Sequence, residues 1–271
     1  MDDLNVTRLI VVTVGRSVID QTFPPPSDKQ ARAESFFLGH TSAESIQQLE
    51  QGDGGREQLE LEQSFFDQAC SFGDVEASLE GLRRGRTNPH SAEVSSLHQM
   101  MVGYPSLGIT PQNMKIVLLA TDSPDGIFAA RLNKRLICHL LLHSPKSVAR
   151  DWRKEEDNGS IEQLLRVLIR RVPGLQVKNV QEFVEEGVKH LRAEFQQLQE
   201  ETPGAQRFLN ITGGFKGVIP LTTALAWAFG WRLFYLYESS PELIRIPCPG
   251  DVKFKVDDVK VERGPGIYGD L

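Results

Sequence analysis

The residues best suited to chemistry lie in one glycine-rich segment, formed by Gly213, Gly214, Phe215, Lys216 and Gly217. It follows an apolar strand pattern and precedes an apolar helical pattern, so it should join a strand to a helix. Glycines permit close backbone approach, and a helix N-terminus offers N–H groups and a positive dipole to an anion. The lysine adds a mobile ammonium group. The segment therefore predicts a phosphate-binding loop, with a tight turn and a solvated lysine as the alternative.

A second candidate loop follows the first apolar run of the chain. Thr13, Gly15, Arg16 and Ser17 come at the end of the β-branched stretch Arg8–Val14, which is typical of a buried parallel strand. Ser17 is positioned to orient a phosphate or a ribose hydroxyl. The alternative is that it caps the helix that follows.

A third loop contains Thr121, Asp122 and Ser123, directly after the predicted strand Lys115–Ala120. Helix capping is the stronger interpretation for Asp122. Asn210 and Thr212 add polar groups at the end of the strand before the glycine-rich segment. Ligands of parallel sheets bind outside the carboxyl ends of the strands, so all three loops are expected to share one binding edge.

The elements that must position these loops alternate between strand and helix patterns. Such alternation predicts an α/β fold, a Rossmann-like, doubly wound and mainly parallel sheet with helices on both faces. Helices are predicted over Ser91–Met101, with Ser91 as its cap, and over Ile127–Leu142, Ile161–Val172, Val180–Glu200 and Val218–Phe229. Further strands are predicted over Arg207–Thr212, Arg232–Tyr237 and Leu243–Ile246, with Val177 in a short strand.

The chain is predicted to form a single domain over residues 1–271, with two peripheral segments. Residues 21–89 are polar and interrupted by proline, but they contain apolar residues at helical spacing, so they predict a helical insertion after the first strand. Residues 248–271 are polar and predict a tail or small terminal strands.

Composition excludes several classes of function. The net charge of −6 argues against a broad surface for long nucleic acid, and no apolar run is long enough to cross a membrane. The three cysteines and six histidines show no metal-ligand or disulfide spacing, so neither a metal nor another cofactor is expected, and a reducing cytoplasm is favoured. Walker, dinucleotide-binding and GxSxG motifs are absent from the sequence.

Several motifs, taken in order, resemble the CRISPR-associated Rossmann-fold (CARF) proteins, and among them the standalone ring-nuclease type. They are Val12–Ser17, Ser91-Ala-Glu93, Leu119–Gly126, Glu185-Glu-Gly187, Asn210–Gly217 and Tyr235–Glu238. The resemblance spans nearly the whole chain. Two features depart from the family pattern. Arg16 stands where many relatives have a small residue, and the insertion over residues 21–89 is longer than the minimal fold needs.

The resemblance implies a homodimer that binds a cyclic oligoadenylate, usually the tetra-adenylate, in a symmetric cleft. It also implies metal-independent cleavage of the ring by a ribose 2′-hydroxyl, which would switch off type III CRISPR antiviral signalling. Ser17 and Lys216 match the family's catalytic serine and lysine. The remaining residues of the three loops, together with Asn210 and Thr212, would then contact the ligand.

Other functions stay open at this stage. The same pocket could sense the ring without cleaving it and regulate a separate effector. An RNase is disfavoured although Arg84 and His90 have the spacing of a known RNase motif, because Pro89 would break the helix that such a motif requires. A transcription regulator is disfavoured by the net charge and by the lack of a helix-turn-helix pattern.

Overall fold

The computed structural model describes most of the chain. The described residues are 6–22, 31–32, 35–36, 39, 44, 47–49, 55–71, 91–110, 113–143, 166–175, 180–214, 216–237 and 242–248. Three predictions fall largely or wholly outside them, namely the short strand at Val177, the terminal tail and the Arg84–His90 motif. The boundaries of the insertion stay a prediction.

Six strands form one sheet in the order β3-β2-β1-β4-β5-β6. The strands are β1 (Arg8–Thr13), β2 (Met114–Thr121), β3 (Val167–Val172), β4 (Gln206–Asn210), β5 (Arg232–Leu236) and β6 (Leu243–Ile246). All neighbouring pairs are parallel except β5 with β6. The chain reverses its direction of winding between β1 and β4, which is where doubly wound sheets bind ligands. The predicted Rossmann-like fold class is confirmed.

Helices cover both faces of the sheet. They are α1 (Ser17–Thr22), α2 (Gly55–Ser71), α3 (Ala92–Val102), α4 (Pro124–His143), α5 (Val188–Glu201) and α6 (Ile219–Ala228). Side chains of β1 alternate between the faces: Ile10 and Val12 join a core with α1 to α4, whereas Leu9 and Val11 join a core with α5 and α6. Burial on both faces explains why the strand sequence is continuously apolar.

Helix α2 lies within the predicted insertion and packs on α4. Phe65 of α2 meets Phe128 of α4 edge to face, with ring centroids 5.3 Å apart. Glu62 of α2 forms an ion pair with Arg131 of α4 at 2.6 Å. The apolar residues at helical spacing in this segment therefore do form a helix, and it adds to one face of the central fold.

The predicted helix over Ile161–Val172 is wrong for its second half. Val167–Val172 is β3, an edge strand that pairs in parallel with β2. A short apolar run fits a helix and a buried strand equally well, and here the β-branched residues Val167, Ile169 and Val172 favour pairing with the sheet.

The predicted helix over Val180–Glu200 is interrupted at its start. A helical turn at Val180–Glu182 leads into a π-helical turn at Phe183–Gly187, and α5 follows directly. A Cβ on Gly187 would lie 2.3 Å from the Gly174 carbonyl oxygen, so only glycine permits this contact between helix and loop. The contact holds the loop after β3 close to the helix.

Candidate functional site

The loops predicted to share a binding edge are neighbours in the structure. Strand β1 lies between β2 and β4 and is parallel to both, so the segments after Thr13, Thr121 and Asn210 emerge side by side. They form the carboxyl edge of the sheet at its switch point, which is the usual ligand site of this architecture. The expectation that the three loops share one edge is confirmed.

The loops after β1 and β4 are in direct contact with each other. The Thr13 hydroxyl donates a hydrogen bond to the Gly213 carbonyl oxygen at 2.5 Å. A Cβ on Gly15 would lie 2.7 Å from the Gly214 nitrogen, and Gly214 itself has a φ of +101°. Two glycines are therefore required here, one by close contact and one by its backbone conformation.

A buried carboxylate lies beneath both loops. Glu93, in the first turn of α3, is 0% exposed. Its Oε1 accepts a hydrogen bond from the Gly15 N–H at 2.8 Å, and its Oε2 accepts one from the Ser17 hydroxyl at 2.8 Å. A Cβ on Gly213 would lie 2.1 Å from Glu93 Oε1, so the β4 loop closes directly on the carboxylate. Glu93 thus contacts both of the loops that carry the predicted catalytic residues.

Burial raises the pKa of Glu93 above its ordinary value, and hydrogen bonds from Gly15, Ser17 and Ser91 offset part of that rise. These donors are neutral. No ion pair joins Glu93 to another side chain among the residues that the structure describes. A buried carboxylate without a cation is unusual outside functional sites.

The local sequence explains how Glu93 is placed. Ser91 caps α3 by accepting a hydrogen bond from the Val94 N–H at 3.1 Å, as the sequence predicted. The cap fixes the first helical turn, and Glu93 therefore faces the loops. The sequence motif Ser91-Ala-Glu93 does not by itself predict a role for Glu93. The available signal was a single carboxylate in an otherwise uncharged helix that contains buried serines.

Two predicted ligand residues at the end of β4 are engaged inside the protein. The Asn210 side chain is buried; its amide donates to the Ser96 hydroxyl at 2.6 Å, and its carbonyl oxygen accepts from the Thr212 N–H at 3.1 Å. The Thr212 hydroxyl accepts from the Leu236 N–H of β5 at 2.8 Å. These bonds fix the start of the glycine-rich loop. Direct ligand contact by either residue stays a prediction.

The third loop is held by its own side chains. Ser123 accepts a hydrogen bond from the Gly126 N–H at 3.2 Å, which caps α4, and lies 2.8 Å from the Thr121 hydroxyl. Asp122 accepts from the Gly174 N–H at 3.1 Å and so ties this loop to the one after β3. Helix capping thus accounts for Ser123, while Asp122 bonds a neighbouring loop.

Two cationic residues lie at this edge. Arg16 forms an ion pair with Asp125 at 3.5 Å, and its side chain is 45% exposed. Lys216 is exposed and begins the 3₁₀ turn Lys216–Val218, which leads into α6. Gly217 is exposed in the same turn. Phe215, a predicted ligand contact, lies outside the described residues.

A small cavity opens beside the loops. It is lined by Thr13, Thr121, Leu175, Leu191 and Val218, among others, and its volume is about 10 Å³. A single water needs about that much room. This cavity therefore has room for about one water molecule and not for a larger ligand.

The part of the chain that the structure describes contains no group of three or more His, Cys, Asp or Glu side chains that could hold a metal ion. None of its helices is both long and apolar enough to span a membrane. The chemistry available at the loops is that of hydroxyls, backbone N–H groups, one buried carboxylate and two exposed cations.

A known protein family includes this chain. No curated protein matches the sequence. The family model described as CRISPR-associated protein (Cas_APE2256) matches residues 88–249, more than half of the chain. The matched range begins just before α3 and ends after β6, so it includes Glu93, Asp122 and Lys216 but not Ser17. The match confirms the resemblance to CRISPR-associated Rossmann-fold proteins, and the chain belongs to the CRISPR-associated Cas_APE2256 family.

Proposed function

We propose that this protein binds a cyclic oligoadenylate, cyclic tetra-adenylate in particular, in the cleft of a cytoplasmic homodimer and cleaves it without a metal ion. Cleavage would remove the second messenger and switch off type III CRISPR antiviral signalling. The observation that carries the proposal is the convergence of the β1, β2 and β4 loops, with exposed Lys216 before a helix, in a chain of a CRISPR-associated family.

Binding would take place over the carboxyl edge of the sheet. The cavity of about 10 Å³ beside the loops is too small for a nucleotide, so the ring would contact the surface of the loops. A two-fold dimer presents the same loops twice, which suits a ring of repeated nucleotides whose opposite phosphates are equivalent. Lys216 and the N–H groups at the start of the helical segment supply positive potential for phosphate.

Cleavage would follow the in-line route open to any ribose phosphodiester. The 2′-oxygen forms a bond to the adjacent phosphorus as its proton leaves, the bond from phosphorus to the 5′-oxygen breaks, and that oxygen takes up a proton. The products carry a cyclic 2′,3′-phosphate and a 5′-hydroxyl. The protein would contribute mainly orientation, worth about 7–11 kcal/mol in favourable cases, and stabilisation of the charge that develops on the phosphorane.

Lys216 is assigned the second of these tasks. Its exposed ammonium group lies on the loop that Gly213 and Gly214 bring against the β1 loop, so it and Ser17 belong to adjacent segments. A charge-assisted contact gains strength as the phosphoryl oxygens become more negative in the transition state. Lys216 should therefore affect cleavage more than binding.

Incubation with radiolabelled cyclic tri-, tetra- and hexa-adenylate in the presence of EDTA tests the proposal. We expect cleavage of cyclic tetra-adenylate to a product with a cyclic 2′,3′-phosphate end. Light scattering should show a dimer before ligand is added. Binding without cleavage would make the protein a sensor that regulates a separate effector, and the absence of both would refute the proposal.

A further inference from the structure

The Ser17 hydroxyl can donate one hydrogen bond, and Glu93 already accepts it. A serine hydroxyl carries one proton and two lone pairs, whereas Glu93, when ionised at a pH above its raised pKa, only accepts. In the structure that proton points to Glu93 Oε2, at a distance of 2.8 Å between the oxygens. What Ser17 can still offer to a ligand is its lone pairs.

Glu93 is held in place by several contacts, so its Oε2 cannot turn away from the proton that Ser17 donates to it. Its other oxygen is occupied by the Gly15 N–H at 2.8 Å, and a backbone donor cannot reverse its direction. The Ser91 hydroxyl lies 3.1 Å from Oε2, and the backbone of Gly213 blocks the remaining side. The carboxylate is thus fixed by groups on α3, the β1 loop and the β4 loop.

Charge favours the same orientation. A buried carboxylate directly behind the Ser17 oxygen repels phosphate oxygens, and it strengthens the attraction of that oxygen for an O–H group. Lys216, by contrast, is a cation on the neighbouring loop. The site therefore has a side suited to a sugar hydroxyl and a side suited to a phosphate.

We infer that Glu93 is a positioning residue that makes Ser17 a hydrogen-bond acceptor for a ribose 2′-hydroxyl and prevents it from acting as a donor to phosphate. The inference rests on the proposed function, because it takes the ring as ligand. It assigns the sugar to the β1 loop and the scissile phosphate to the β4 loop.

Two modified rings distinguish an acceptor from a donor at Ser17. A 2′-amino cyclic tetra-adenylate can donate a hydrogen bond from the 2′-position, whereas the 2′-fluoro ring has a similar size and cannot donate. Dissociation constants are measured by calorimetry at mildly alkaline pH, which favours the ionised form of Glu93, and chromatography confirms afterwards that each ring is intact. The wild-type protein should bind the 2′-amino ring about five to ten times more tightly, the effect of one hydrogen bond between neutral groups.

Glu93→Gln should abolish or reverse that preference. The amide oxygen will remain on the Gly15 N–H, which leaves the amide nitrogen facing Ser17 as a donor. Ser17 must then accept from the amide and turn its own proton towards the ligand. Ser17→Ala should abolish the preference as well, and it keeps the test valid if Glu93→Gln does not fold. Arg232→Ala, at the opposite edge of the sheet, should retain the wild-type preference.

The outcomes separate the two claims. If wild-type protein binds both rings with equal affinity, or prefers the 2′-fluoro ring, Ser17 is not an acceptor for the sugar and the inference is overturned while ring binding stands. If wild-type protein binds neither these rings nor unmodified cyclic tetra-adenylate, the proposed function fails and the inference fails with it.

Discussion

Two carboxylates of this fold, Glu93 fully buried and Glu201 partly buried, are held by different kinds of partner. Glu201, at the end of α5, receives Lys115 at 3.1 Å and Arg170 at 2.6 Å. Among the described residues, only backbone N–H groups and hydroxyls donate hydrogen bonds to Glu93, at the carboxyl edge of the sheet. Burial alone would raise the pKa of both groups. At Glu201 hydrogen bonds and the two cations outweigh burial and lower the pKa, whereas at Glu93 burial dominates and the pKa is raised.

The difference distinguishes a carboxylate that stabilises the fold from one that lies where we propose the binding site. The ion pairs of Glu201 with Lys115 and Arg170 join α5 to β2 and β3. They stabilise the fold when the carboxyl group of Glu201 is ionised. Glu93 carries an unfavourable desolvation free energy that a neutral side chain of the same shape would avoid. Proteins retain such local costs mainly where a ligand or a reaction requires them.

The largest expected effect comes from filling the space where the β4 loop meets Glu93. In Gly213→Ala the new Cβ would lie 2.1 Å from Glu93 Oε1 and 2.4 Å from its Cγ, so the carboxylate or the loop must move. We expect a loss of about 3 kcal/mol in the free energy of unfolding, at the upper end for an overpacked site. Urea denaturation measures it, and ring binding should be lost as well.

Gly204→Ala is the control for this substitution. Gly204 has a φ of +75° and no atom within 4 Å of a Cβ placed on it, so alanine meets backbone strain without a collision. The expected loss is about 1 kcal/mol, with ring binding unchanged. Equal losses at the two positions would mean that the contact between Gly213 and Glu93 does not constrain the loop.

A smaller effect is expected at the ion-paired carboxylate. Lys115→Met keeps most of the buried volume but removes one of the two cations on Glu201. We expect the free energy of unfolding to fall by about 1–3 kcal/mol at pH 7. This loss is smaller than that for a buried charge that loses all its partners. A carboxyl group with a lowered pKa contributes stability above its unfolded pKa and loses it as the pH falls through the folded value. The difference between wild type and variant should therefore shrink on acidification. A difference that grows at low pH would contradict the assignment.

The smallest effect is the dependence of stability on pH at Glu93. A carboxyl group with a raised pKa contributes stability that is fully present below its unfolded pKa and is lost as the pH rises through the folded value. Compared with Glu93→Gln, the wild-type protein should therefore lose unfolding free energy as the pH rises from about 4.5, the ordinary pKa of the group, through the raised pKa of the folded state. Denaturant titrations of both proteins across that range measure the change. If the wild-type protein instead gained stability relative to the variant as the pH rises, burial would not be the dominant influence on the pKa of Glu93.

The sequence was most informative where local pattern and fold agree. The strands around β1, β2 and β4, the Ser91 cap and the glycine-rich loop were predicted, because apolar runs, capping residues and glycines act over a few neighbouring positions. The residues around 167–172 were predicted to be helical, because a short apolar run does not distinguish a helix from an edge strand until its partner β2 is known.

The arrangement around Glu93 could not be predicted from local pattern. Its contacts with Gly15, Ser17 and Gly213 join segments that are distant in sequence, and they depend on the order of strands in the sheet. In the sequence, a glutamate two residues after a capping serine looks like an ordinary acidic residue in a first helical turn. Only the fold shows that the β1 loop donates to it and the β4 loop closes on it.

Single-turnover cleavage of labelled cyclic tetra-adenylate in EDTA, compared between wild type, Lys216→Ala and Arg232→Ala, tests the central claim most directly. Arg232 begins β5 at the opposite edge of the sheet, so its removal changes the net charge equally without touching the loops. Wild type and Arg232→Ala should cleave the ring at similar rates. Lys216→Ala should raise the barrier by about 2–4 kcal/mol, a 30- to 1,000-fold slower reaction, while binding weakens less. Cleavage by Lys216→Ala at the wild-type rate would contradict the assignment of the active edge.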